Sequence, residues 1–239
     1  MAGHSKWSQI KHKKAKLDAK RGKAFTKLIK EITIAARMGG GDPDGNARLR
    51  LLMDKAKEIN MPQQNVTRAI KKGTGELPGA QYEPMTYEGY GPHGIAVLVE
   101  TLTDNKNRTV ADLRHLFSKK GGNLSESGSV AWMFEKLGVL YVSGNTTEDQ
   151  LLEALIDYDV RNITKDDNLF TITCDPKELD KVKQALEALE LKVEGANIEW
   201  LPFEANKTEL EGAQAEKAYE FLEALDDHDD VQNVYTNLV

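Results

Sequence analysis

The fold is decided by residues 137–200, LGVLYVSGNTTEDQLLEALIDYDVRNITKDDNLFTITCDPKELDKVKQALEALELKVEGANIEW. The opening six residues, an apolar β-rich run, read as a strand. Residues 147–157 carry leucines at helical spacing, which places Leu151, Leu152, Leu155 and Ile156 inward. Residues 160–164 and 169–174 are β-rich runs joined by the turn Lys165-Asp166-Asp167-Asn168. Asp175-Pro176-Lys177-Glu178 has the form of a capping box with proline in the first turn, and the helix it opens buries Leu179, Val182, Leu186 and Leu189. Residues 192–200 close the series. The order β-α-β-β-α-β is that of a ferredoxin-like module.

The flanks are incomplete by comparison. Upstream, Ile95, Val97 and Val99 alternate with Ala96, Leu98 and Glu100 as a strand, with residues 84–90 as its extended partner. Thr109 and Asp112 suggest a capping box for a helix that buries Val110, Leu113, Leu116 and Phe117 and ends at Gly121-Gly122. Residues 129–135 read as a further strand, with Val130, Trp132 and Phe134 turned to the core. Downstream, a helix over 208–225, capped by Thr208, and a strand over 231–235 have no local partner. The expectation is that residues 79–135 and 207–239 form one α/β domain, interrupted by an inserted domain over 136–206.

Before the glycine-rich linker at 73–79, three amphipathic helices read as a bundle over 23–78. Their stripes are Phe25, Leu28, Ile29, Ile32 and Ala36, then Leu49, Leu52, Met53, Ala56 and Ile59, then Val66 and Ile70. Residues 1–22 form a basic arm, expected to be flexible and to order on a target. The fold class is therefore α+β: an N-terminal three-helix domain plus two ferredoxin-like α/β domains, the third domain inserted in the second.

Charge divides the chain. Residues 1–75 carry 18 basic and 6 acidic side chains, net +12, whereas residues 76–239 carry 14 and 32, net −18. Such asymmetry is the footprint of polyanion binding by one part of a molecule. The single cysteine, Cys174, excludes an intramolecular disulfide and a cysteine-based zinc site, and suits a reducing cytoplasm. No apolar run reaches the length of a membrane span.

Catalytic motifs are missing. There is no G-x-S-x-G elbow, and the loop Gly89-Tyr90-Gly91-Pro92-His93-Gly94 does not fit a dinucleotide fingerprint. The expectation is a protein without catalytic residues, cofactor or metal. The acidic run 226–230, Asp-Asp-His-Asp-Asp, reads as a solvated turn. The candidate nucleic-acid contacts are the arm and the start of the first helix: Lys6, Trp7, Lys11, His12, Lys13, Lys14, Lys16, Lys20, Arg21, Lys23 and Lys27. To these are added Tyr87, Tyr90 and His93 as stacking surfaces, and Lys106 and Arg108 beside a helix N-terminus.

The blocks MAGHSKWSQIKHKKAKLDAKRGKAFTKLIKEI, TYEGYGPHGIAVLVETLTDNKNRT, GGNLSESGSVAWMFEK and DDVQNVYTN resemble the signatures of the YebC/PmpR family, also called DUF28. Relatives of that family include the mitochondrial translational activator of cytochrome c oxidase subunit I. The resemblance covers the whole chain; the family usually has glycine where this chain has His93, and commonly valine where it has Ile95. It implies a non-enzymatic three-domain protein that binds nucleic acid. One family role is a ribosome-associated translation factor that contacts rRNA and tRNA and relieves stalling at proline-rich stretches. The other is a transcriptional regulator that binds double-stranded DNA. The abundance of Lys over Arg favours phosphate contacts over base readout. The working expectation is a cytoplasmic monomer.

Overall fold

The computed structural model describes Trp7 and residues 21–239, with only the backbone of Arg21. Helix α1 (Arg21–Gly39), α2 (Ala47–Glu58) and α3 (Gln63–Gly73) form the bundle. Leu28, Ile32, Ala35, Leu49, Leu52, Ala56, Met61, Val66 and Ala69 make its core. Asn46 stitches the first corner. Its side-chain oxygen accepts from the Leu49 amide at 3.0 Å, capping α2, while its Nδ2 donates to the carbonyls of Ala35 and Gly40. Helix α3 crosses α1 so closely that a Cβ on Gly73 would lie 2.4 Å from the Thr33 carbonyl oxygen, which excludes any side chain there.

The bundle shares a compact unit with the first sheet, which is discontinuous in sequence. Strand β1 (Glu83–Tyr90) pairs with β2 (Ala96–Thr103) in a hairpin whose register runs from Glu83↔Thr103 to Tyr90↔Ala96. Helix α4 (Lys106–Lys119) leads to the short strand β3 (Asn123–Ser125), which adds to β1. The fourth strand, β8 (Val231–Thr236), comes from beyond the insertion and adds to β2 after helix α7 (Gly212–Asp226). The order is β3-β1-β2-β8, with α4 and α7 packed over Val97, Val99 and Val234. Phe117 of α4 meets Phe221 of α7 edge-on at 5.0 Å.

The inserted unit holds strands β4 (Phe134–Ser143), β5 (Val160–Asp166), β6 (Leu169–Cys174) and β7 (Lys192–Pro202) in the antiparallel order β5-β6-β4-β7. This is the ferredoxin-like arrangement, completed by α5 (Glu148–Ala154) and α6 (Leu179–Ala188). The α+β class and the insertion of one α/β part in the other are thus those of the sequence reading. The two sheets differ in wiring, because in the discontinuous one the two central strands are joined directly by a hairpin.

Several local expectations are corrected. Residues 129–135 are not one strand. The amides of Gly128, Val130 and Ala131 all donate to the Glu88 carboxylate, a convergence that extended backbone does not allow, and a 3₁₀ turn over Ala131–Met133 follows. Helix α4 starts three residues earlier than Thr109, capped by Asn105, which accepts from the Arg108 amide. Helix α7 starts at Gly212, because Thr208 is taken up by a parallel bridge to Leu238. Asp175 closes a local turn on the Lys177 amide, and α6 begins only at Leu179. Helix α5 is one residue shorter at its start and stops at Ala154; Leu152 on its outer face and Ile156 beyond its end are exposed, Ile156 at 79%.

Candidate nucleic-acid interface

Lys6, Lys11, His12, Lys13, Lys14, Lys16 and Lys20, and the side chain of Arg21, lie outside the described residues. Trp7 does not, and it corrects the sequence reading. Its ring is 4% exposed and packs with the core of the discontinuous unit, stacked on Tyr219 at 6.5 Å. The indole N–H donates to the Val234 carbonyl on β8 at 3.1 Å. Strand β8 is the last strand of the sheet, so this bond satisfies one polar group on its outer edge. A ring committed in this way offers no face to a base.

Lys23 and Lys27 are redirected as well. With Lys30 they fall at i, i+4 and i+7 on α1, one stripe of the helix. Lys23 Nζ donates to the Asp227 carbonyl at 2.9 Å, and Lys27 Nζ to the Asp226 carbonyl at 2.7 Å. These are terminal carbonyls of α7, where the helix dipole favours a cation. Lys30 Nζ goes deeper, to the Asp229 carbonyl and to Asp230 Oδ1, both at 3.0 Å. The run 226–230 is therefore not a solvated turn. It receives the lysine stripe, and Asp230 is buried.

Asp230 is the hub. Its Oδ2 accepts from Thr109 at 2.8 Å, from Arg108 at 3.0 Å and from Thr103 at 3.2 Å, while Oδ1 takes Lys30. Burial by itself pushes a carboxyl upward. Here the hydrogen bonds from Lys30, Thr109 and Arg108 and the Lys30 charge outweigh it, and Asp230 is held down to about 2. Arg108 divides its guanidinium between Asp230 and Asp104. Lys106 pairs with Glu83 across to β1. Both keep substantial exposed surface, so a phosphate would meet them as members of ion pairs rather than as free cations.

The glycine–tyrosine loop lies at the far end of the β1–β2 hairpin. Tyr87 is half-buried against the core, opposite Val99. Burial, and then the Asp230 charge, raise its phenol, which keeps it neutral. His93 is exposed and stands in the left-handed region at φ 61°, inside a tight turn over Pro92–Gly94. The neighbouring glycines answer to packing. A Cβ on Gly89 would lie 2.5 Å from the Asn123 carbonyl oxygen, and one on Gly91 would lie 2.6 Å from the Phe221 ring. Tyr90 is half-buried, and its hydroxyl donates to the Ser129 carbonyl at 3.2 Å.

That last bond reveals a residue the sequence reading misplaced. Trp132, expected in the core, is 61% exposed, and its indole N–H donates to the same Ser129 carbonyl at 3.1 Å. The alternation Val130-Trp132-Phe134 pointed inward only while the segment was read as a strand. The block Glu126-Ser127-Gly128-Ser129, rich in turn formers, was the available signal against it. The bundle also presents exposed cations that the site assignment omitted, among them Arg48, Arg68 and Lys71.

Among the described residues no three His, Cys, Asp or Glu side chains converge as metal ligands. Burial pushes the Cys174 thiol up to about 12, helped by Asp175, Glu178 and Asp159, which leaves it without nucleophilic character at neutral pH.

Comparison with known proteins places these features in a lineage. A family profile described as the TACO1/YebC protein N-terminal domain matches residues 5–76, and one described as the TACO1/YebC second and third domain matches residues 82–238. A protein of Desulforapulum autotrophicum named as a probable transcriptional regulatory protein is 55% identical over 238 residues, covering 99% of this chain and 96% of the relative. One of the same name from Chlorobaculum tepidum is 55% identical over 240 residues, covering 100% and 95%. The crystal structure of a conserved hypothetical protein from Aquifex aeolicus is similar at a TM-score of 0.87 and 46% identity, covering 98% of this chain and 97% of that one.

Proposed function

The chain belongs to the TACO1/YebC family, and on that premise we propose that it regulates gene expression by binding nucleic acid and catalyses no reaction. We propose further that its target is ribosomal RNA, and that it assists translation through difficult stretches such as consecutive prolines. The observation that carries the reading is the separation of charge, net +12 over residues 1–75 against −18 over the rest. A cationic end gives affinity for phosphates without sequence readout, and an acidic remainder limits non-specific wrapping. The dominance of lysine over arginine in residues 1–30, nine to one, suits phosphate contacts more than base-edge recognition.

The second reading, a regulator bound to promoter DNA, is favoured by the names of the relatives. Both readings expect binding that weakens with salt. For about five neutralised phosphates on a duplex the log–log slope is roughly −4 to −5. In-cell crosslinking followed by sequencing of the bound nucleic acid separates them. Enrichment of rRNA, with co-sedimentation on ribosomes, supports the translational role. Enrichment of promoter DNA with ribosome fractions empty overturns it.

A further inference from the structure

Trp132 is the largest exposed apolar side chain among the described residues, and the chain around it is unusually constrained. Glu88 sits buried on β1 with its carboxylate turned toward residues 127–131. One oxygen accepts from the Gly128 amide at 2.7 Å; the other accepts from the Val130 and Ala131 amides, each at 2.8 Å. Burial works to raise this carboxyl. The three amides, with the Ser127 hydroxyl, more than compensate and hold it below its ordinary value. The charge therefore stands at the start of the Ala131–Met133 turn, where the free amides point. The Met133 amide closes that turn on the Val130 carbonyl at 2.9 Å, and the Ser129 hydroxyl closes the preceding one on Glu126 at 2.6 Å.

Two aromatic side chains then converge on one acceptor. The Tyr90 hydroxyl and the Trp132 indole N–H both donate to the Ser129 carbonyl. The Trp132 ring is thus tied at its polar edge while most of the side chain remains exposed. Ordering an exposed aromatic ring normally costs conformational freedom when a ligand arrives, and here that cost is met in the free protein. An indole held this way has no buried role that accounts for it. Its flat, neutral face suits the π-face of a nucleobase.

We infer that Trp132, held beside Tyr90 by the Ser129 carbonyl and the Glu88-capped turn, is a stacking surface for an unpaired base of RNA. The inference rests on the nucleic-acid-binding reading and adds to it a residue and a strand requirement. A base paired within a duplex hides its faces in the stack, so the surface takes single-stranded segments and not continuous helix. Glu88 is then a positioning residue, acting through the turn and touching no nucleotide.

The test is a fluorescence titration of the full chain with a short oligo(A) RNA and with duplex DNA of equal length. Trp7 is buried, and both Trp7 and the half-buried Trp200 are common to the two proteins, so the difference between wild type and Trp132→Phe isolates the signal of Trp132. The expected result is saturable quenching by oligo(A) in the wild type only. Trp132→Ala should weaken oligo(A) binding roughly 5- to 150-fold, the usual worth of one base–aromatic stack. Trp132→Phe should keep most of that affinity, and duplex binding should be unchanged in both variants. Unquenched Trp132, or oligo(A) affinity unaltered in Trp132→Ala, overturns this inference while leaving the broader reading standing. A wild-type protein that binds neither RNA nor DNA overturns both. Because the ring is exposed, the melting curve of Trp132→Ala should match wild type, which keeps an altered affinity from being a folding effect.

Discussion

The two α/β units differ in whether they bury charge. The inserted unit buries Thr171 and Thr173, side chains that carry no charge. The discontinuous unit, among its described residues, buries Lys30, Glu88 and Asp230. Neutral hydroxyls tolerate a generic core, whereas buried ions demand defined partners and lose several kcal/mol without them. Asp230 joins the bundle helix α1 to α4 and β2, and Glu88 shapes the turn that presents Trp132. The unit assembled from distant pieces is therefore the one held by specific ionic geometry. The contiguous unit relies on shape and apolar area.

That contrast can be broken most directly at Asp230. Asp230→Ala leaves Lys30 buried opposite no carboxylate and should cost about 3–5 kcal/mol. Hydrogen exchange should locate the loss in the discontinuous unit, with protection of the inserted sheet unchanged. Adding Lys30→Met should recover part of it, because the stranded cation is removed. An equal loss of protection in both units would end the distinction.

Acid should reveal the same contrast by degrees. Asp230 and Glu88 both have folded values below those of an unfolded chain, where carboxylates titrate near about 4. Their contribution is complete above that pH and is lost as pH falls through the folded values, for Asp230 about 2. Exchange measured between those limits should show the discontinuous unit opening first. Smaller effects sharpen the picture. Trp7→Phe removes the bond to the Val234 carbonyl and should cost about 1 kcal/mol, read as faster exchange along β8. Thr147→Ala breaks the reciprocal cap with Gln150 and should cost about 0.5–1 kcal/mol, confined to the inserted unit.

Legibility in the sequence follows the same division. The inserted sheet was readable because its order comes from neighbouring segments and alternation of apolar residues. The return of the last helix and strand to the domain before the insertion was readable for a different reason, since an α-β pair without a partner must find one. What escaped was set by long-range ions. The lysines at 23, 27 and 30 look like a phosphate-binding stripe until the acids at 226–230 are brought against them. Trp132 looked like a core residue because alternation cannot report a carboxylate forty residues upstream that bends the backbone. Of the candidate site, His93 is exposed in the turn, Tyr90 is the half-buried last residue of β1, and Trp7 belongs to the interior.

The placement of β8 also bears on how the protein is made. Strand β2 ends at Thr103 and its partner begins at Val231. At a synthesis rate of about 5–20 residues per second, β2 waits roughly 6–25 s for that partner, while β4 to β7 emerge in one uninterrupted stretch. Throughout that interval the Ala96–Thr103 strand, buried along nearly all of its length in the finished fold, has a bare side onto which another growing chain can pair. The insertion thus lengthens a window of vulnerability during biosynthesis, because the inserted unit supplies more than half of the residues between the two strands.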